Sequence, residues 1–217
     1  MKILTIADLS FFAFPNQLAL PIDIEQQHFQ MVMKQTLLGL PTEPLLKAHP
    51  KINNWVNEVR NLFPELFNLG PTELLVNTQF QAPLNTLFGT VYVQVSTNAI
   101  FQPRKSVLLV EWAIRHKNAG WYDKVKLWTA SEYLSVKPEK LTLVILALSP
   151  THPATLKEFK WSRKQHEETS NWLVRLLSEQ PKASQEKRSL IQHKQHKTSL
   201  SSDVLSLKLE EVEEVEI

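Results

Sequence analysis

The chain contains no cysteine, and its four glycines lie far apart in the sequence. The absence of cysteine excludes disulfides, thiolate metal ligands and cysteine nucleophiles, and it is typical of a reducing cytoplasm. Phosphate-binding loops and dinucleotide fingerprints need several glycines close together, so the scarcity of glycine excludes both kinds of site.

Long hydrophobic runs are also missing. The apolar stretch over residues 1–21 is interrupted by Asp8, Pro15 and Asn16, which predicts neither a membrane-spanning helix nor a signal peptide. The formal net charge of +2 does not by itself indicate a nucleic-acid partner. We therefore expect a cytoplasmic protein with no membrane association.

The residues that are present predict one sizeable domain of the α/β class. Hydrophobic residues make up 43% of the 217, enough for a single core. Apolar residues recur at helical spacing in the first third, over residues 23–40 and 50–64, and again over residues 162–180. Stretches rich in β-branched and aromatic residues, typical of strands, lie between the helical segments. They are residues 72–84, 90–101, 106–114, 140–150 and 155–161.

This order of elements predicts a central mixed β-sheet flanked by helices, with a helical N-terminal third. We place the folded domain at residues 1–180. Residues 181–217 are polar, with a basic half and an acidic end, and they predict a disordered tail. His193 and His196 in this tail could bind a metal ion, and the basic residues around them could form an arm that contacts nucleic acid. Histidines on an unanchored segment are weak metal ligands, so a solvated tail is the default prediction.

One segment has the layout of a metal-dependent nuclease site. Such enzymes hold a divalent cation between acids on neighbouring strands, and a lysine beside the second acid stabilises charge. In the segment "STNAIFQPRKSVLLVEWAI", a turn separates Asn98 from Glu111, and Ala113 follows two residues later.

The chain resembles the PD-(D/E)XK nuclease superfamily, in the RecB/Cas4-like branch of small stand-alone bacterial members. The resemblance covers roughly residues 1–180 and includes the early helices, the hairpin segment and "WYDKVKLWTASEYLSVKPEKLTLVILAL". It implies a restriction-endonuclease-like core and, in an active member, Mg²⁺-dependent cleavage of DNA.

The positions that match the family's active site are mostly changed. Glu111 matches the second acid, but Asn98 stands where the first aspartate is expected and Ala113 where the lysine is expected. Tyr122 and Lys126 replace the glutamine and tyrosine of a Gln-x-x-x-Tyr helix motif. Asn98 and Glu111 are thus the candidate catalytic positions, and Glu111 is the one candidate metal ligand.

A further family position, which holds a metal-binding histidine in many relatives, is occupied by Gln30. The nearby His28 lies one residue from the apolar stripe of its helix, which favours a surface histidine over a ligand.

Three functions remain open. The first is a catalytically inactive family member that acts as a nucleic-acid-binding or structural module, with DNA as the candidate partner. The second is an active Mg²⁺-dependent nuclease in which Asp123, Lys124 or Lys126 replaces the missing groups near Glu111. The third is a protein-interaction domain without nucleic acid. Only the second requires a cofactor, Mg²⁺. For DNA contact, the candidate residues are Lys124, Lys160, Arg163 and Lys164.

Aromatic residues lie among these basic ones. Phe159 and Trp161 could stack on bases beside the lysines, but as members of a strand they are expected first of all in the core.

Overall fold

The computed structural model describes residues 2–15, 24–69, 74–102, 106–114 and 118–178. Residues Met1–Ser178 form one compact unit. The predicted tail at 181–217 and Asp23, a candidate helix cap, lie outside the described residues. No helix in the described ranges is both long and apolar enough to cross a membrane.

The first elements depart from the helical start that the sequence predicts. A short strand, β1 (Lys2–Thr5), leads directly into helix α1 (Ile6–Ala13). The Thr5 side chain accepts a hydrogen bond from the Asp8 N–H, and the Asp8 carboxylate accepts one from the Thr5 N–H. This reciprocal capping box satisfies backbone donors at the helix N-terminus, and it fixes where the strand ends.

The two long helices predicted over residues 23–40 and 50–64 are confirmed as α2 (Ile24–Leu37) and α4 (Pro50–Leu62). Two short helices accompany them, α3 (Glu43–Ala48) between the two and α5 (Glu65–Asn68) after the second. The apolar stripes of α2 and α4 are buried as their spacing requires, with Phe29 and Trp55 in edge-to-face contact across the two helices.

The predicted mixed sheet is confirmed, with six strands among the described residues. The strands after β1 are β2 (Leu74–Thr86), β3 (Gly89–Phe101), β4 (Val107–Ile114), β5 (Leu141–Leu148) and β6 (Thr155–Lys160). β2 and β3 form a long antiparallel hairpin, β4 and β5 run parallel, and β6 is an antiparallel edge strand. Helix α6 (Trp121–Leu134) connects β4 to β5, and α7 (Arg163–Ser178) follows β6.

One edge of β3 is shared by two strands. β1 pairs in parallel with the first half of β3, and β4 pairs with its last three residues, Ala99, Ile100 and Phe101. Beyond Val110, the partner of Ala99, β4 therefore diverges from β3. The gap between them opens where the sequence places the candidate site.

The sheet is covered on both faces. Helices α6 and α7 contribute to one buried cluster, with Trp128 and Leu173 packed against residues of β2, β3 and β5. Helices α2 and α4 contribute to the other cluster, which contains Trp112 of β4. Because helices cover both faces, neither β4 nor β5 has an exposed residue, and most residues of both strands are buried.

Candidate functional site

The carboxylate of Glu111 lies in the gap between β3 and β4, on the face that α6 covers. Glu111 is 9% exposed. The Lys126 ammonium lies 2.8 Å from its Oε1, and the Thr97 hydroxyl donates a hydrogen bond of 2.8 Å to the same atom. The one acid retained in the nuclease-like segment is thus neutralised by a lysine from α6. We call these three residues the Glu111 cluster.

Asn98 makes a different kind of contact. Its side-chain oxygen accepts the Trp112 N–H at 3.0 Å. Two residues further along β4, the Ile114 N–H donates to the Gln26 side-chain oxygen of α2 at 2.6 Å. Beyond Val110, β4 is not paired with β3. The side-chain amides of Asn98 and Gln26 accept the two backbone N–H groups of β4 instead, since buried backbone donors require acceptors.

Two further residues of α6 lie beside the Glu111 cluster. The Asp123 carboxylate is fully buried and accepts the Gly120 N–H at 2.8 Å, which caps α6. Burial raises the pKa of Tyr122, and the nearby charges of Asp123 and Glu111 raise it further. Tyr122 is therefore a neutral hydroxyl over the whole physiological pH range.

The groups around the Glu111 carboxylate do not match the ligands that a divalent cation needs. Mg²⁺ needs several oxygen ligands and a surplus of negative charge. Glu111 instead faces an ammonium at 2.8 Å, and Asn98 uses its oxygen on a backbone N–H. Across the described ranges, no three His, Asp or Glu side chains converge closely enough to hold a metal ion.

The other residues to which the resemblance in sequence drew attention do not complete a metal site. His28 is exposed on α2, with its ring 5.9 Å from that of His49. Gln30 is also exposed and lines a groove of about 310 Å³ that includes Asn98 and Trp112. This groove is lined by amides, apolar side chains and the single ammonium of Lys34.

The candidate nucleic-acid residues are divided among three places. Lys124 of α6 lines a pocket together with Glu168 of α7, and Lys164 lies 3.9 Å from Glu168. Arg163 instead pairs with Glu167 and lines a groove on the other side of α7. Lys160 is exposed at the end of β6. The structure therefore brings Lys124 and Lys164 near one pocket and leaves the other two apart from it.

The Lys124 pocket has aromatic walls that the sequence did not reveal. It has a volume of about 270 Å³ and is lined by Trp121 and Trp172, whose ring centroids are 5.8 Å apart. Phe14, which follows the last residue of α1, also contacts Trp121, with ring centroids 5.8 Å apart. The sequence had drawn attention instead to Phe159 and Trp161, which belong to the core or pack against it.

No family model matches the sequence, and no curated protein matches it. Among solved structures, that of SSO0001 is similar with a TM-score of 0.42 and 12% identity, over 83% of this chain and 78% of that one. A structure named "Putative exonuclease", from Eubacterium rectale, is similar with a TM-score of 0.49 and 9% identity, over 81% of this chain and 80% of that one. Neither similarity assigns a ligand or a reaction to this chain.

Proposed function

We propose that this protein is a PD-(D/E)XK nuclease-like domain that binds nucleic acid without cleaving it. The observation that carries the proposal is the Glu111 cluster. A carboxylate that already faces an ammonium at 2.8 Å and a hydroxyl at 2.8 Å has its negative charge offset by the lysine, so little net charge remains there to attract a metal cation.

The state of Asn98 supports the same conclusion. Its oxygen accepts a backbone N–H of β4, so the residue at the first acid position acts as part of the sheet. Both motif positions are engaged in contacts that stabilise the point where β3 and β4 diverge. In this proposal, Glu111 and Asn98 have a structural role.

Nucleic-acid binding is supported by a different surface. Lys124 is exposed, and no ion pair joins it to another described residue. Lys164 is also exposed, and its partner Glu168 lies at the outer limit of a salt bridge, 3.9 Å away. Surface pairs of this kind contribute little, so both ammonium groups remain accessible to phosphate oxygens.

The experiment incubates the purified protein with Mg²⁺ or Mn²⁺ and labelled single- and double-stranded DNA, and follows cleavage and retention separately. We expect retention at low salt without cleavage. Retention should weaken as the salt concentration rises, because counterions are released from phosphates on binding. Cleavage that the Glu111→Ala variant abolishes would overturn the proposal, and absence of retention would contradict its binding part.

An active nuclease is the alternative that Lys126 favours, because this lysine does reach Glu111 as a migrated active-site lysine would. An active nuclease would also need a second carboxylate next to Glu111 to bind the metal ion. Asp123 is the candidate on α6, and its carboxylate is bound to the Gly120 N–H at the helix start. The Glu111→Ala comparison in the same assay separates this alternative from the first proposal.

A protein-interaction domain is favoured by the tip of the β2–β3 hairpin. Leu87 is 83% exposed and Phe88 is 79% exposed, and both lie in the two-residue turn between the strands. Two large apolar side chains at one turn are unusual on a monomer surface and typical of contact sites. This candidate predicts that substitution of Leu87 or Phe88 changes association without changing DNA retention.

A further inference from the structure

We propose that the pocket between α6 and α7 takes an unpaired nucleobase, so that the protein prefers single-stranded to double-stranded nucleic acid. This inference rests on the proposed function, because it names the form of nucleic acid and the place where it binds. We call the site the tryptophan pocket, and its walls are Trp121, Lys124, Gln165, Glu168, Thr169 and Trp172.

The first argument concerns the aromatic walls. Trp121 and Trp172 both pack against the core at one side and remain partly exposed at the other. Their rings are tilted by 49°, so they form a wedge that is open to solvent. Every base has a π-face, and exposed aromatic side chains bind single strands by stacking on successive bases. In a duplex both faces of a base are covered by its neighbours, so such a wedge selects unpaired bases.

The second argument concerns charge. An aromatic pocket with an acid on its rim could instead hold a methylated ammonium by cation–π contacts. Here Lys124 lines the same pocket and has no ion-pair partner among the described residues, so it repels a cationic ligand. The acid, Glu168, has Lys164 at 3.9 Å to offset its charge. The balance favours a ligand that joins an aromatic ring to an anionic phosphate, as a nucleotide does.

The third argument concerns size and polar contacts. A volume of about 270 Å³ lies near the lower end of small-ligand pockets and suits one base rather than a longer stack. The Gln165 side-chain oxygen accepts hydrogen bonds from Ser162, so the polar groups that the wall offers are the Gln165 NH₂ donor and the Thr169 hydroxyl, which can donate and accept. Such groups can satisfy the edge of any base, which predicts little sequence preference.

The experiment measures the affinity of the full chain for a labelled oligothymidylate and for its duplex with oligoadenylate, by fluorescence anisotropy at fixed salt. We expect tighter binding of the single strand. The Trp172→Leu variant should bind the single strand about tenfold more weakly, because one stacked base is lost. The Trp172→Phe variant should recover most of the loss, since it restores an aromatic face.

Three further variants keep the test independent of folding. Lys124 is exposed, so Lys124→Ala preserves the core; it should lower the affinity and reduce the salt dependence by about one released ion. Lys47→Ala removes the same charge from an exposed position on α3 and should change neither. Phe88→Leu removes an aromatic ring that is 79% exposed at the hairpin tip and serves as the control for Trp172→Leu.

The possible outcomes test the tryptophan pocket and the proposed function separately. If the wild type binds DNA but Trp172→Leu and Lys124→Ala bind it equally well, the tryptophan pocket is not the site, while the proposed function stands. If the wild type binds neither form of DNA, the proposed function itself is contradicted. If the pocket binds free trimethyl-lysine and Trp172→Leu abolishes that binding, the pocket is a cation cage and the inference is overturned.

Discussion

The Lys126 ammonium lies 2.8 Å from Glu111 Oε1, and the two side chains are only 13% and 12% exposed. The glutamate comes from β4 and the lysine from the helix that follows it, so the contact ties α6 to the sheet at the gap beside β3. We therefore expect the ion pair between Glu111 and Lys126 to stabilise the fold. The predictions below start from that contact.

Removing one member of the pair should destabilise the protein more than removing both. Lys126→Met leaves the nearly buried Glu111 charge without its cation and should cost about 3 kcal/mol of unfolding free energy. Glu111→Gln combined with Lys126→Met should cost less than Lys126→Met alone, and therefore less than the sum of the single changes, since the unpaired charge is gone. Urea unfolding curves of the four proteins measure this coupling. Additive single changes would show that the contact does not form.

The exposed pair Arg163–Glu167 provides the matched control for this cycle. Its side chains are 80% and 60% exposed, although the distance between Nε and Oε1 is a similar 2.9 Å. Arg163→Met should therefore change the unfolding free energy by no more than about 0.5 kcal/mol. If Lys126→Met and Arg163→Met lowered the unfolding free energy by the same amount, burial of the Glu111–Lys126 pair would not be the cause of the effect.

Asn98→Ala should cost about 1–3 kcal/mol of stability, because the Trp112 N–H loses its acceptor in the sheet. Asn57→Ala removes an amide from the exposed face of α4 and should be nearly neutral. Hydrogen exchange of the Trp112 amide, measured alongside urea unfolding, locates the effect. Unchanged protection of that amide in Asn98→Ala would contradict the proposed structural role of Asn98.

Tyr122 makes the stability sensitive to alkaline pH. Because burial and neighbouring carboxylates raise its pKa in the folded protein, the unfolded chain releases this proton first, near pH 10. The contribution to stability is complete below about pH 10 and is lost as the pH rises further. Tyr122→Phe should lose less stability than the wild type as the pH rises above about 10. Tyr133→Phe, at a residue that is 53% exposed, is the control. If the wild type and both variants lost the same unfolding free energy at alkaline pH, Tyr122 would not be the group responsible.

The hairpin tip should tolerate substitution without loss of the fold. Leu87→Ser with Phe88→Ser changes two side chains that are 83% and 79% exposed, so the unfolding free energy should shift by less than about 0.5 kcal/mol. Self-association in sedimentation velocity should fall or stay the same, and DNA retention should be unchanged. A large loss of DNA retention would move the nucleic-acid site to this tip.

The sequence predicts much of the fold because several segments carry their own signals. In α7, which begins directly after the polar Ser162, Ser162 and Gln165 form a cap, and Thr169, Leu173 and Leu177 form the buried stripe. The start of the chain was predicted less well, since polar residues interrupt its apolar pattern. The "TIAD" segment, Thr5 to Asp8, does carry a capping-box signal for α1, but the pairing of β1 with β3 is a long-range contact with no local signature.

The candidate site was only partly predictable for the same reason. Spacing within one segment indicated Glu111 and Asn98, but the partners that decide their roles come from other elements. Lys126 reaches Glu111 only because α6 folds back onto the sheet. Trp121 and Trp172 meet only because α6 packs against α7, and each residue alone fits the pattern of an ordinary core position.

The most direct measurement of the central claim is Mn²⁺ binding to the wild type and to Glu111→Gln, followed by electron paramagnetic resonance of the free ion. Because Lys126 and Thr97 already occupy the Glu111 carboxylate, the two proteins should leave the same amount of free Mn²⁺ at every concentration. Binding of one Mn²⁺ by the wild type that Glu111→Gln abolishes would show a working metal site, and it would contradict the account of a nuclease-like domain without cleavage chemistry.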